Sequence, residues 1–118
     1  MIINIKVNHE AFLSVSLAAI TLATFSLPAL AAEEFTIVIK DHKFTPETLE
    51  VPTGKKIKLI VKNEDPTPEE FESHDLMREK IINGNSKGIV FIGPLEPGEY
   101  SYFGEFNMDT ALGTIVAK

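Results

Sequence analysis

The chain is 118 residues long, carries 17 acidic against 11 basic side chains for a net charge of −6, and contains neither cysteine nor tryptophan. That length fits one small domain, and without cysteine there can be no disulfide, thiolate nucleophile, zinc ribbon, iron–sulfur cluster or thiolate-ligated copper. The acidic balance also excludes a nucleic-acid partner of the ordinary kind, which needs a surplus of lysine and arginine on one face.

In chain order the first segment is an address rather than a fold. Residues 11–32 carry no charge, Lys6 precedes them, and Ala29-Leu30-Ala31 supplies the small-x-small pattern that signal peptidases read. Residues 1–31 therefore read as a cleaved secretory signal peptide, leaving a mature, periplasmic domain over 32–118. A run of this length can also cross a bilayer as a retained anchor. Against that, Ser14, Ser16, Thr21, Thr24 and Ser26 dilute it, and Pro28 breaks a helix just before the cut.

The rest reads as short strands. Phe35–Lys40 alternates apolar and β-branched residues, and Lys55–Val61 does so with Ile57, Leu59 and Val61 on one face. Prolines and glycines around Thr48–Val51 predict a short strand between turns. Asn63–Glu70 is a polar loop, Phe71–Met77 and Glu79–Ile82 are extended, and Asn83–Ser86 is a turn. Ile89–Ile92 is a buried strand, Gly93–Glu99 reverses the chain, Tyr100–Phe106 returns antiparallel to it, and Leu112–Ala117 is the last strand. Prolines at 46, 52, 66, 68, 94 and 97 leave no room for a long helix. About seven strands at roughly ten-residue spacing predict an all-β, antiparallel sandwich.

Several steps along this order carry a resemblance. Phe44-Thr45-Pro46, Leu49-Glu50-Val51-Pro52-Thr53-Gly54, Asn63-Glu64-Asp65 and Leu95-Glu96-Pro97-Gly98-Glu99-Tyr100 together resemble the cupredoxin family, which implies a Greek-key β-sandwich. Electron-transfer cupredoxins place a histidine ligand after the Asn-x-Asp loop, and a cysteine, a second histidine and a methionine between the last two strands. Here the first loop reads Pro68-Glu69-Glu70-Phe71-Glu72-Ser73-His74. The second reads Phe103-Gly104-Glu105-Phe106-Asn107-Met108, with Glu105 about where the cysteine would stand and Asn107 near a histidine position. The redox centre is lost. Phe71-Glu72-Ser73, Arg78-Glu79-Lys80 and Phe103-Gly104-Glu105-Phe106 resemble instead the EfeO-type cupredoxin-like domains, which implies export, metal binding through carboxylates and an iron permease as partner.

Five side chains are candidate metal ligands. Glu72 and His74 lie two apart on a predicted strand and leave the same face, and a carboxylate with an imidazole suits copper, iron or zinc. Glu79 enters through the family pattern, although its neighbours Arg78 and Lys80 also allow a solvated ion cluster. Glu105 lies in an aromatic stretch where a buried carboxylate needs a partner, either the metal or Arg78. Met108 is a soft donor on the ligand-bearing loop. Asp41 and His42 allow a second cation site. No nucleophile with a base and no phosphate cradle stands out, so the chain does not read as an enzyme. The expectation is an exported protein that binds a copper or iron ion and supports uptake at the membrane. The alternative is a metal-free β-sandwich interaction module that docks a membrane partner.

Overall fold

The computed structural model describes residues 31–118. The signal segment expected over 1–31 lies outside the described residues, Ala31 excepted. Strands form where β-branched and aromatic side chains alternate with polar ones: β1 (Glu33–Lys40), β2 (Lys43–Thr45), β3 (Thr48–Val51), β4 (Ile57–Asn63), β5 (Glu69–Ser73), β6 (Arg78–Ile82), β7 (Ser86–Ile92), β8 (Gly98–Gly104) and β9 (Leu112–Ala117). A single 3-10 turn, Glu105–Asn107, follows β8.

The strands make an all-β, two-layer sandwich, as the spacing predicts. One sheet has the order β2-β1-β4-β7 and the other β3-β9-β8-β5-β6. Strands exceed the expected number partly because β2, three residues long, is too short to show a periodicity. Two expectations are corrected. The sheets are mixed, with β1 parallel to β4 and β3 parallel to β9. Nor does Tyr100–Phe106 return against Ile89–Ile92: β7 pairs with β4 in one sheet, and β8 with β5 and β9 in the other. Alternation tells which face of a strand is buried, and a strand that crosses to the opposite layer buries the same face, so the pattern is silent about its partner.

The core lies between the layers. Ile37, Ile39, Ile57, Leu59, Val61, Val90 and Ile92 come from the first sheet, and Phe71, Tyr102, Ile115 and Ala117 from the second. Phe44, Phe71 and Tyr102 form an aromatic centre with ring centroids 5.0–6.3 Å apart.

Two recognised motifs turn out to be braces. Asn63 is buried, and its Nδ2 donates to the carbonyls of Thr67, Ile82 and Asn83 while its Oδ1 accepts the Asp65 N–H, which ties the β4–β5 loop to the end of β6. Asp65 in turn accepts the N–H groups of Asp41 and His42 at 2.8 and 3.0 Å, holding the β1–β2 hairpin. The Gly54 N–H donates to the Leu95 carbonyl, and the Tyr100 hydroxyl donates to the Glu96 carbonyl. The Asn63 bonds tie the first sheet to β6 of the second, which carries the acidic face.

Candidate metal centre

Strand β5 alternates. Glu69, Phe71 and Ser73 point into the sandwich, while Glu70 and Glu72 stand on the outer face of the five-stranded sheet. Across the ladder Glu72 faces Glu79 on β6 and Phe103 on β8, and Glu70 faces Ile81. One carboxylate oxygen each from Glu70, Glu72 and Glu79 lies within 4.8 Å of the others. A shallow cavity of about 280 Å³, lined by Glu72, His74, Arg78 and Glu79 among others, opens beside them. Like charges placed directly opposite on neighbouring strands are unfavourable, so this arrangement calls for a proton or a cation.

The electrostatics say the same. The Glu72 carboxyl is pushed above its ordinary range first by a hydrogen bond shared with Glu105, then by partial desolvation and the Glu105 charge, and His74 opposes the shift. Glu70 is pushed up by partial desolvation and then by the charges of Glu105 and Glu79. The Glu72 side chain is only 16 % exposed, and its buried Oε2 has no hydrogen-bond donor. A buried carboxylate oxygen without a donor, on a residue of a three-carboxylate cluster, is what a bound cation would satisfy, so the residues present fit a metal ion.

The candidates fall into place unevenly. Glu72 and Glu79 meet, and Glu105, first residue of the 3-10 turn, lies near enough to Glu70 and Glu72 to push both carboxyls up. Glu105 is exposed rather than buried among aromatics, and Arg78 is not its partner, since the guanidinium donates to the carbonyls of Phe91, Leu76 and Met77. His74 lies just past the end of β5 with its ring 5.4 Å from Phe103. Its Nε2 is 3.9 Å from Glu72 Oε1, and its side chain is 79 % exposed, at the rim of the cluster. Met108 caps the 3-10 turn with its side chain in solvent. Asp41 and His42 form the hairpin turn that Asp65 holds.

Two residues escape the reading of the sequence. Glu70 belongs to the cluster, and the same alternation that groups Glu72 with His74 reaches back to it. Glu69 is the most deeply buried carboxylate among the described residues, at 1 % exposure. Its Oε1 accepts the Glu70 and Phe106 N–H groups at 3.0 and 2.9 Å, and its Oε2 accepts Asn107 Nδ2 at 2.6 Å. The two loops that bear ligands in electron-transfer relatives therefore meet here through a carboxylate and an amide that satisfy one another. A Cβ on Gly104 would lie 2.6 Å from the Glu69 carboxyl carbon, so glycine keeps that place open.

Comparison with known proteins agrees with this architecture. The family model described as "Cupredoxin-like domain" matches residues 11–117. An uncharacterized protein of Rickettsia prowazekii (strain Madrid E) is 53% identical over 85 residues, covering 72% of this chain and 68% of that protein. Among solved structures, a copper binding protein in its apo form shares the fold at a TM-score of 0.64 and 20% identity, covering 72% of this chain and 86% of the other. The metal-binding domain of the Cu(I)-exporting P-type ATPase of Streptococcus pneumoniae gives 0.65 at 13% identity, over 72% and 84%. Auracyanin A, a blue copper protein of Chloroflexus aurantiacus, gives 0.63 at 14% identity, over 75% and 100%.

Proposed function

Because this chain belongs to the cupredoxin-like domain family yet has no cysteine for a thiolate copper centre, we propose that it binds a copper or iron ion through carboxylates on the outer face of its five-stranded sheet. Glu70, Glu72 and Glu79 supply the ligands, with Glu105 and His74 beside them. The observation that carries this is the convergence of three carboxylate oxygens within 4.8 Å around Glu72, whose Oε2 is buried without a donor. Oxygen-rich donors favour the oxidised, harder ions, Cu(II) and Fe(III), over their reduced forms. That the three solved structures of this fold named above are all copper proteins favours copper. The EfeO-type motif at Phe71–Ser73, Arg78–Lys80 and Phe103–Phe106 favours iron and an iron permease as the partner. Export to the periplasm rests on the uncharged run and Ala29-Leu30-Ala31. The role is binding and delivery rather than catalysis.

Thermal unfolding with added metal tests the site. An ion at ~100 times its dissociation constant adds about 2.7 kcal/mol, which lifts the melting temperature of a domain this small by more than ~10 °C. Glu72→Gln and Glu70→Gln keep the shape and remove the charge, so each should abolish most of that shift without lowering the metal-free melting point. Glu47→Gln, outside the cluster, should keep it. If Cu(II), Fe(II), Fe(III), Zn(II) and Mn(II) all leave the wild-type curve unmoved, the metal-free interaction module is the better account.

A further inference from the structure

The outer face of the other sheet is built from opposite charge. Alternation along β1, β4 and β7 turns Ile37, Ile39, Leu59, Val61, Val90 and Ile92 inward. The residues between them point out. Lys40 faces Lys43 across the β1–β2 ladder, Lys62 faces Lys87 across the β4–β7 ladder, and Lys58 faces Phe91. Lys56 lies over the Phe91 ring at 4.7 Å. Of these six lysines Lys58 alone has a carboxylate partner among the described residues, Glu34 at 3.1 Å. Lys62 and Lys87 stand directly opposite each other beside a shallow cavity of about 470 Å³. Such like-charge pairs cost stability, as the glutamates on the far face do, and a counter-ion of opposite sign relieves them. Between the lysines Ile60 is half-buried, and Ile89 and Phe91 are 44% and 46% exposed.

We propose that this lysine face of the β2-β1-β4-β7 sheet docks on the anionic surface of a lipid bilayer. Charge complementarity comes first. Although the chain as a whole is acidic, with a net charge of −6, six of its ten lysines gather on this face, where Glu34 pairs with Lys58 and Glu64 lies at the edge, and the glutamates at 70, 72 and 79 stand on the other sheet, so an anionic surface attracts the first face more than the second. The side chains on the face then separate a lipid partner from a protein one. Protein interfaces concentrate tyrosine, tryptophan and arginine and are poor in lysine. This face has lysines and no arginine, tyrosine or tryptophan, the composition of a juxtamembrane basic patch. Lysine stems can lie along Ile60, Ile89 and Phe91 while their ammonium groups reach the phosphates. Docked this way, the carboxylate cluster on the opposite sheet faces away from the bilayer.

The experiment sediments the full-length chain with vesicles of phosphatidylcholine alone and with vesicles containing about one third phosphatidylglycerol. Because residues 11–32 can enter either bilayer, the readout is the ratio of the two affinities. Wild type should favour the anionic vesicles by more than about a hundredfold at low salt and lose that preference in ~0.5 M salt. The variant Lys40→Gln/Lys62→Gln/Lys87→Gln should lose about fivefold of the ratio per lysine, with a melting temperature unchanged or higher. Lys80→Gln/Lys118→Gln, away from this face, should stay within about twofold of wild type. A wild-type ratio near one, or equal losses in the two variants, overturns the proposal. If the vesicles show no preference but the same three lysines are masked by a cross-linked acidic protein in intact cells, the face is a protein interface and the lipid assignment fails.

Discussion

Glu69 and Glu72 stand three residues apart on one short strand and do opposite things with the same functional group. Glu69 points inward, is fully buried, and spends both oxygens on Glu70, Phe106 and Asn107. Glu72 points outward and keeps one buried oxygen without a donor. A satisfied buried carboxylate is a structural clamp, whereas an orphaned one among like charges is a place for a cation. Glu69→Ala should therefore strip two backbone N–H groups of their acceptor and cost about 3 kcal/mol, lowering the melting temperature by more than ~10 °C. Whatever fraction folds should still gain stability from metal. Differential scanning calorimetry with and without the ion checks both halves, and loss of the metal response with no loss of stability would reverse the two assignments.

The β1–β2 hairpin shows how an element survives unfavourable residues. Its two turn positions, Asp41 and His42, have φ of 50° and 57°, a conformation that glycine and asparagine adopt most readily in two-residue hairpins. The carboxylate of Asp65, far along the chain, accepts both of their N–H groups and holds the turn. Replacing His42 with glycine should relieve the left-handed strain while keeping those bonds, for a gain of about 0.5–1 kcal/mol and a melting temperature several degrees higher. The same variant separates turn from ligand. An unchanged metal titration is expected, and a weakened one would place His42 in a cation site.

On the scale of the molecule, the clustered carboxyls give the metal-free protein a distinctive response to pH. Glu70 and Glu72 titrate above the ordinary glutamate value of 4.5, raised by partial desolvation at Glu70 and by the hydrogen bond with Glu105 at Glu72. A carboxyl that holds its proton more tightly when folded stabilises the fold below its unfolded pKa, and that contribution is lost as pH rises through the folded value. Asp75 behaves oppositely. The Ser101 N–H and hydroxyl hold its carboxylate below the ordinary 3.8, so its contribution is present above that value and disappears as pH falls through the folded one. In EDTA the melting temperature should be highest between the ordinary values of 3.8 and 4.5 and decline over the interval above 4.5. Bound metal should remove the decline, and Glu105→Gln should flatten it. A metal-free melting temperature that climbs steadily over that interval would contradict the clustered-carboxylate account.

Local rules reach a definite distance into this protein. Composition excluded a thiolate copper centre, because a missing atom needs no geometry. Alternation located the strands and their buried faces, because each residue's side of a strand follows from the pleat. The same alternation, followed one step further back from Glu72, contains Glu70. Pairing is another matter: that Glu79 lies opposite Glu72, that Glu105 closes on both, and that β7 and β8 part company into different sheets depend on register between segments distant in sequence. The burial of Glu69 in place of Glu105 was likewise decided by tertiary structure, because the 3-10 turn after Gly104 lifts Glu105 into solvent and turns the Phe106 N–H and the Asn107 side-chain amide toward the carboxylate beneath. Sequence by itself determined which groups are available, and only the assembled sheets determined which of them meet, since cross-strand distances are set by the packing of the whole core.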